Sequence, residues 1–462
     1  MEIKEKQGFD QIVSLCKQRG FIYPSSEIYG GFAGVYDYGP LGVELINNLK
    51  SLWWKKMVNK RRDITGLDSG IFTHPKVWEA SGHVGGFSDP LVECKKCGVR
   101  SRADHLLEEV GAIADEKMSD EEINKLFNEY RETISCPNCK AKDFTTVKLF
   151  NLLVKSNLGD FSNDNSDPVY LRGETCQGIY INYLSVLNST RLKLPFGIAQ
   201  IGKVFRNEIA PRQFIFRTRE FEQMEMQYFV SPENEMEEYN KLKDYRWDFL
   251  LEIGLSKENL RWHQHENLVF YAKEAFDIEY KYPIGWKELE GIHARGDYDL
   301  SQHSKHSGQD LTYFYERTGE RFTPHIIESS IGVGRLALAA ICEAYDEEVV
   351  NDEKRTVLRF KKSVAPIKIA ILPLSKKTEL TVPAVELFDI LSEEWRCEYD
   401  ETQSIGKRYR RQDEIGTPFC VTFDFDSLGD NAVTIRERDS MKQDRVQIKD
   451  LKKYFQEQFT DC

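Results

Sequence analysis

Residues 196–228 constrain the fold more than any other stretch of this 462-residue chain. They read as two long strands, 197–208 and 217–228, joined by a loop over 209–216, which demands an antiparallel pair inside a larger sheet. Residues two apart in a strand share a face. Val204, Arg206 and Glu208 therefore fall together on the first strand, and Arg217, Arg219, Phe221, Gln223 and Glu225 on the second. Phe205, Met224 and Met226 take the opposite, core-facing side. A face of arginines, carboxylates, an amide and an aromatic ring is no core; it is either solvated or a site. Planar guanidinium forks, a stacking ring and polar acceptors are the groups that hold a purine nucleotide and its phosphates.

The rest of the chain can be divided by pattern. After Gly39-Pro40, the spacing of Leu41, Leu45, Leu49, Leu52 and Trp53 predicts a helix. A strand is expected over 64–72, ending near His74-Pro75, a helix over 176–187, a polar helix over 232–251, strands over 280–299, and a helix after Gly334. A charged connector over 345–362 then gives way at Val364-Ala365-Pro366 to alternating strands and helices, with a basic helix over 404–414 and a helix at the end. That tail reads as a separate α/β unit of about 100 residues.

Four of the ten cysteines form two tight pairs, Cys94-Lys-Lys-Cys97 and Cys136-Pro-Asn-Cys139. In a reducing compartment such pairs read as a metal site before they read as disulfides, and four thiolates suit tetrahedral zinc. The acidic, helical stretch 104–132 between them resembles an insertion held at its base by the metal. A formal charge of −12 argues against indiscriminate nucleic-acid coating but leaves room for a local basic patch. No stretch approaches the ~20 apolar residues of a membrane helix, and the start of the chain has no apolar signal-peptide core, so a soluble, cytoplasmic protein without membrane contact is expected.

Two glycine patterns are decoys. Gly197-Ile-Ala-Gln-Ile-Gly202-Lys203-Val204 nearly matches a phosphate-cradling loop, but Val204 lacks the hydroxyl needed for magnesium and the context is strand. Gly332-Val-Gly334-Arg335-Leu-Ala337 fits a dinucleotide fingerprint, yet it follows strands that read as antiparallel, without a βαβ unit. A tight approach of strand to helix explains it better.

Taken in order, the motifs point further. Phe205-Arg206-Asn207-Glu208 followed by Arg217-x-x-x-Phe221-x-x-x-Glu225 resembles motif 2 of the class II aminoacyl-tRNA synthetases, the strand ending at Pro75 resembles motif 1, and Gly332-Val-Gly334-Arg335 heading a helix resembles motif 3. Within that class, Trp78-Glu-Ala-Ser-Gly-His83, Leu171-Arg-Gly-Glu-Thr-Cys-Gln-Gly178 and the run from Gly406 to Gly416 are similar to the homodimeric glycyl-tRNA synthetases. The resemblance covers the chain except the cysteine-flanked insertion. It implies an α+β fold: a class II antiparallel sheet core flanked by helices, a zinc-ribbon-like insertion and a C-terminal α/β anticodon-binding domain. The implied boundaries are 1–90 for the first part of the catalytic domain with motif 1, 91–143 for the insertion, 144–345 for the core with motifs 2 and 3, 346–363 for a linker and 364–462 for the anticodon-binding domain.

The same resemblance implies ATP-dependent joining of glycine to the 3′ end of tRNA(Gly) through a glycyl-adenylate, by a homodimer that uses Mg2+ and carries structural Zn2+. Arg206, Glu208 and Arg335 are the implied catalytic residues. ATP contacts are expected from these three and from Asn207, Phe216, Arg217, Phe221, Glu288, Leu289, Gly332 and Gly334, with Glu288 on the metal side. Glycine contacts are expected from Arg102, Glu174, Phe221, Gln223, Glu225, Glu328 and Ser330, tRNA contacts from Lys407, Arg408, Arg410 and Arg411, and zinc ligation from Cys94, Cys97, Cys136 and Cys139. Two positions depart from the family pattern, with Gly173 and Ser329 standing where proline is usual. Both are expected to loosen the backbone of the glycine pocket. A rival from another class is a catalytically silent relative that keeps the fold as a nucleic-acid-binding and dimerisation module; a complete set of ATP residues argues against it.

Overall fold

The computed structural model describes residues 2–112, 118–158, 168–209, 211, 213–265, 273–316 and 318–460. Parts of the expected acidic helix (113–117) and of the 209–216 loop (210 and 212), together with Cys462, lie outside the described residues.

A seven-stranded sheet organises the larger part of the chain. Its order is Leu260–Gln264, Glu274–Tyr282, Gly285–Gly296, His325–Gly332, Glu220–Val230, Phe196–Phe205 and Ile64–Gly66. Every pairing is antiparallel except the last, where Ile64–Gly66 runs parallel to Phe196–Phe205. The central pair is in the register the alternation requires, with Val204 opposite Phe221 and Gln200 opposite Glu225. One sheet face buries Met224, Met226, Ile327 and Ile331 against the helices Pro40–Trp54, Glu235–Glu252 and Val333–Ala344. Arg335 and Glu343 aside, the last of these carries only apolar residues and is buried along most of its length. On the other face, the helices Cys176–Ile181, Tyr183–Thr190 and Tyr298–Ser307 close one end, around Tyr183, Phe196 and Phe229. The opposite end of that face stays open as a cleft.

The tail folds around its own core, in a five-stranded sheet ordered Cys397–Tyr399, Ile369–Ile371, Phe419–Thr422, Ala432–Glu437 and Gln443–Gln447. The first three strands are parallel and the last two antiparallel. It is tied to the start of the chain: Asn48 donates to the Val364 and Ala365 carbonyls, Arg396 pairs with Glu44, and Arg19 with Glu414. The cysteine-flanked segment stands on the sheet Arg100–Arg102, Ser88–Glu93, Lys148–Asn151 and has a small core of Leu107, Phe127 and Phe144.

Several elements differ from the sequence expectation. The helix Glu2–Arg19 precedes the one expected to be first. The strand expected over 64–72 is two pieces in different sheets, Ile64–Gly66 and Phe72–Thr73. The strands expected over 280–299 are a long hairpin starting at Glu274. The connector is a hairpin, Tyr345–Val350 with Glu353–Leu358, that buries Arg355 and Val357. The acidic stretch breaks into Ala103–Glu108 and Asp120–Glu129, the latter started by a Ser119/Glu122 capping box. Among the described residues, no helix is long and apolar enough to cross a membrane.

Candidate active site and cysteine cluster

The open end of the sheet holds a cleft of about 490 Å3. Alternation in the strands Glu220–Val230, His325–Gly332 and Gly285–Gly296 turns Phe221, Gln223, Glu225, Glu328, Ser330, Gly291 and His293 into it. The turn Phe214–Phe216 and the first turn of Val333–Ala344 supply Phe216, Arg217 and Arg335 at its rim. Gly334 lets that helix start so close: a Cβ there would lie 2.9 Å from the Tyr38 hydroxyl and 3.2 Å from the Ile215 carbonyl. The glycine pattern thus marks a tight approach, in a sheet whose neighbours at that point are antiparallel.

One half of the cleft is cationic. Arg206 donates to the Gly173 carbonyl at 3.1 Å, with its guanidinium 5.2 Å from the Phe87 ring centre and 5.5 Å from that of Phe221. Arg335 lies over the Phe216 ring at 4.5 Å, donates to the Phe216 carbonyl at 3.3 Å and pairs with Glu288 at 2.9 Å. Arg217 is 4.0 Å from the buried Glu208. Arg206 and Arg335, held by ring faces and backbone carbonyls, form with Arg217 a preorganised anion clamp.

The other half is acidic and enclosed. Glu174 contacts His83 Nε2 at 3.2 Å and accepts from Gln177 at 2.9 Å and the Cys176 thiol at 3.0 Å. Burial opposes its charge, but His83 and Arg295 hold the carboxyl well below its usual range. Glu328 accepts from Gln227 at 2.9 Å and from Arg295 at 3.2 Å, and contacts His293 Nδ1 at 3.1 Å. Its burial is likewise outweighed by Arg295 and His293, and the carboxyl falls to about 2. Glu225 accepts from the Thr175 and Ser330 hydroxyls. Among the described residues no cation forms an ion pair with it: burial, then the charges of Glu328 and Glu174, push it up to about 7. Gln223 Oε1 is buried in the same wall without a hydrogen-bond donor among the described residues, an acceptor left facing the cleft.

Fourteen of the residues picked out in the sequence therefore line one cleft: Glu174, Arg206, Glu208, Phe216, Arg217, Phe221, Gln223, Glu225, Glu288, Glu328, Ser330, Gly332, Gly334 and Arg335. Three others do not. Asn207 borders a separate surface hollow, and Leu289 is buried in the main core. Arg102 is paired with Asp89 and Asp104. His83 and Arg295 orient the acidic half; His83 stood in a quoted motif with no role given to it, and Arg295 in no motif at all.

The tail corrects the reading of its basic helix. Arg408, expected on an outward cationic face, is buried, and its guanidinium donates to the carbonyls of Pro373, Asp400 and Leu374 at 2.7, 2.9 and 3.3 Å. Arg411 pairs with Asp400 at 3.1 Å and Arg410 lies 3.7 Å from Glu353, whereas Lys407 is exposed. The helix Ile405–Ile415 packs against Glu353–Leu358 and the first helix, where Arg410 meets Glu353, while Arg408 and Arg411 turn toward the segments that follow the strands Ile369–Ile371 and Cys397–Tyr399.

The cysteines converge. Cys94, Cys97, Cys136 and Cys139 have sulfurs within 4.8 Å of one another. They sit on two matching knuckles, each closed by a residue of positive φ, Gly98 (70°) and Lys140 (59°), whose amide donates back to the first cysteine's carbonyl at 2.8 and 2.9 Å. The Val99 amide, with help from Asn138, lowers the Cys97 thiol to about 6. Four sulfurs so placed fit a tetrahedral thiolate site.

Comparison with known proteins now decides the family. Residues 160–345 match the tRNA synthetase class II core domain (G, H, P, S and T), and residues 368–458 match the anticodon binding domain. Glycine–tRNA ligase of Clostridium acetobutylicum is 52% identical over 98% of this chain and 99% of its own length. That of Acetivibrio thermocellus is 51% identical over 99% and 100%.

This chain belongs to the glycine–tRNA ligase family.

At the level of fold, the family's architecture extends to a prolyl-tRNA synthetase of Giardia lamblia in complex with prolyl-adenylate. It superposes with a TM-score of 0.66 at 14% identity, over 97% of this chain and 75% of that one. The fold is thus a class II synthetase core followed by an anticodon-binding domain.

Proposed function

We propose that this ligase activates glycine with ATP and transfers it to the 3′ end of tRNA(Gly). The observation that carries the reading is the division of one cleft into a guanidinium clamp and an enclosed set of three carboxylates. The clamp suits a polyphosphate. The carboxylates suit an ammonium, and they leave little room for a side chain on the carbon that bears it.

In the first step a carboxylate oxygen of glycine attacks the α-phosphorus of ATP. The bond to the bridging oxygen breaks, and pyrophosphate leaves with the electron pair. The nucleophile is already an anion, so no general base is required; catalysis rests on alignment and on neutralising charge. Arg206, held between two rings, faces the α-phosphate; Arg217 and Arg335 take the distal phosphates, and Glu208 and Phe221 the base. Mg2+, when bound, would neutralise phosphate charge, and Glu288 would hold it, since this ion needs few protein ligands beside phosphate. Glu174, Glu225, Glu328, Gln223 and Ser330 receive the amino group. In the second step the terminal hydroxyl of tRNA attacks the adenylate carbonyl and AMP leaves.

Zinc on the four cysteines would be structural, fixing the insertion. We assign the parts as 1–90 and 144–345 for catalysis, 91–143 for the insertion, 346–363 for a connecting hairpin and 364–462 for anticodon binding, with Lys407 as the outward cation of its basic helix. A cytoplasmic homodimer is the working state, and the edge strand Ile64–Gly66 with the exposed Ile71 and Phe72 beside it supports a partner there. The test is glycine-dependent exchange of labelled pyrophosphate into ATP. Exchange driven equally well by alanine or serine, or none with any amino acid, would refute the assignment.

A further inference from the structure

We infer that the floor of the cleft contains a second metal site, for a divalent transition ion of the zinc class, formed by His265, Asp277 and His293. The inference does not depend on the reaction proposed above. The three side chains come from adjacent strands, or the residue just past a strand end, of the seven-stranded sheet, and their ligand atoms lie within 4.8 Å of one another. His265 Nε2 is 2.8 Å from one oxygen of Asp277; His293 Nε2 is 3.7 Å from the other.

Three observations separate this from an ordinary histidine–carboxylate network. The first is the unclosed gap: His293 Nε2 is buried and, among the described residues, has no partner within hydrogen-bond distance, an Asp277 oxygen standing 3.7 Å away. A pure hydrogen-bond network would close that distance. Two ligands of a tetrahedral ion with bonds of ~2.0–2.1 Å stand roughly 3.4 Å apart, so the gap has the size an ion spans. The second is the space beside it. Asp277 lies opposite Gly291 on the neighbouring strand, and a Cβ at Gly291 would come within 3.1 Å of the His293 ring and 3.5 Å of Asp277 Oδ1. Glycine keeps that volume free. The third is the outer support, because His293 Nδ1 faces Glu328 at 3.1 Å. A carboxylate behind an imidazole fixes ring and tautomer, as behind a metal-bound histidine.

Two imidazoles and one carboxylate select zinc, cobalt, nickel or iron over magnesium, which takes oxygen ligands. Three protein ligands leave at least one position open. His265, His293, Gly291 and Glu288 line the same cleft, so the open position faces its contents.

The experiment is titration of full-length protein with Co2+ in excess Mg2+, followed by visible absorption and by counting bound metal. Cobalt on the four cysteines carries thiolate-to-metal charge transfer; cobalt on the new site does not and shows only ligand-field bands of nitrogen and oxygen ligands. Wild type should show both signals. His293→Ala should lose the second and keep the first, and Cys94→Ser should do the reverse. His265→Gln, at a half-exposed ring whose loss leaves the core intact, should weaken the second signal at least tenfold and guards against a misfolded His293 variant. Near-UV circular dichroism checks folding in each case. A wild type that shows only the thiolate signal, or a nitrogen–oxygen signal that survives unchanged in both histidine variants, overturns the site.

Discussion

Glu225 gives the sharpest test of the acidic half of the cleft. Of the three carboxyls it alone has no ion pair among the described residues, and it is pushed up to about 7 while Glu328 is held near 2. A carboxyl raised in this way is protonated below neutrality and ionised above it. An incoming ammonium prefers the ionised form, so glycine binding must expel the proton at low pH. Each pH unit below the pKa then costs about 1.4 kcal/mol, and glycine affinity should fall roughly tenfold between pH 8 and pH 6. At pH 7 binding should release about half a proton per glycine, readable by calorimetry in buffers of different ionisation enthalpy. Glu225→Gln keeps the shape of the group but not its charge, with one of the two hydroxyls, Thr175 or Ser330, turned from donor to acceptor. It should weaken binding at pH 8 by ~1.5–3 kcal/mol, the loss of one charge-assisted contact, and its affinity should be flat across the same range. A wild type without pH dependence, or a variant that keeps the wild-type slope, would refute the reasoning.

Arg206→Ala should abolish adenylate formation, measured by pyrophosphate exchange, with an unchanged circular dichroism spectrum because the guanidinium faces the cleft. Cys94→Ser should remove zinc from the insertion, as metal analysis of protein purified without chelators would show; zinc at the wild-type level in the variant would count against it. Arg408→Ala leaves the buried contacts to the Pro373 and Asp400 carbonyls without their donor and should cost ~3 kcal/mol in urea denaturation of the C-terminal part. Lys407→Ala, by contrast, should leave stability unchanged and weaken tRNA binding in a filter assay.

The motif strands were legible because alternation and chemistry coincide there: Met224 and Met226 are buried on one side, while Phe221 and Gln223 open into the cleft on the other. The first helix was also within reach, since Phe9, Ile12, Leu15 and Cys16 recur at helical spacing, but its charge-rich start hid the pattern. The hairpin over 345–358 reads as a connector because half of it is solvated; only tertiary packing explains why Arg355 lies in its inner face, against Asp413. Arg295 was not legible. Asp299 stands only four residues on, but the role of Arg295 in the cleft depends on Glu328 arriving beside it from a neighbouring strand, 33 residues away, which no local pattern encodes. The same holds for Arg408, whose inward turn needs the sheet it packs on. Ser329 points away from Glu328 and Ser330 into the opposite face, where its hydroxyl donates to Glu290 at 2.7 Å, itself paired with the buried Arg246. This departure from proline therefore serves a buried network on the far side of the sheet and puts no side chain into the glycine pocket.

The clasp between the two ends of the chain has a consequence for how the protein is made. Asn48 must wait for Ala365, which lies 317 residues further on. At a synthesis rate of ~5–20 residues per second that is a delay of roughly 15–60 s. Until then, the surface of the early helices that the tail later covers has no partner. The nascent chain therefore carries its early helices with an open flank until the segment from Val364 onward emerges to cover them.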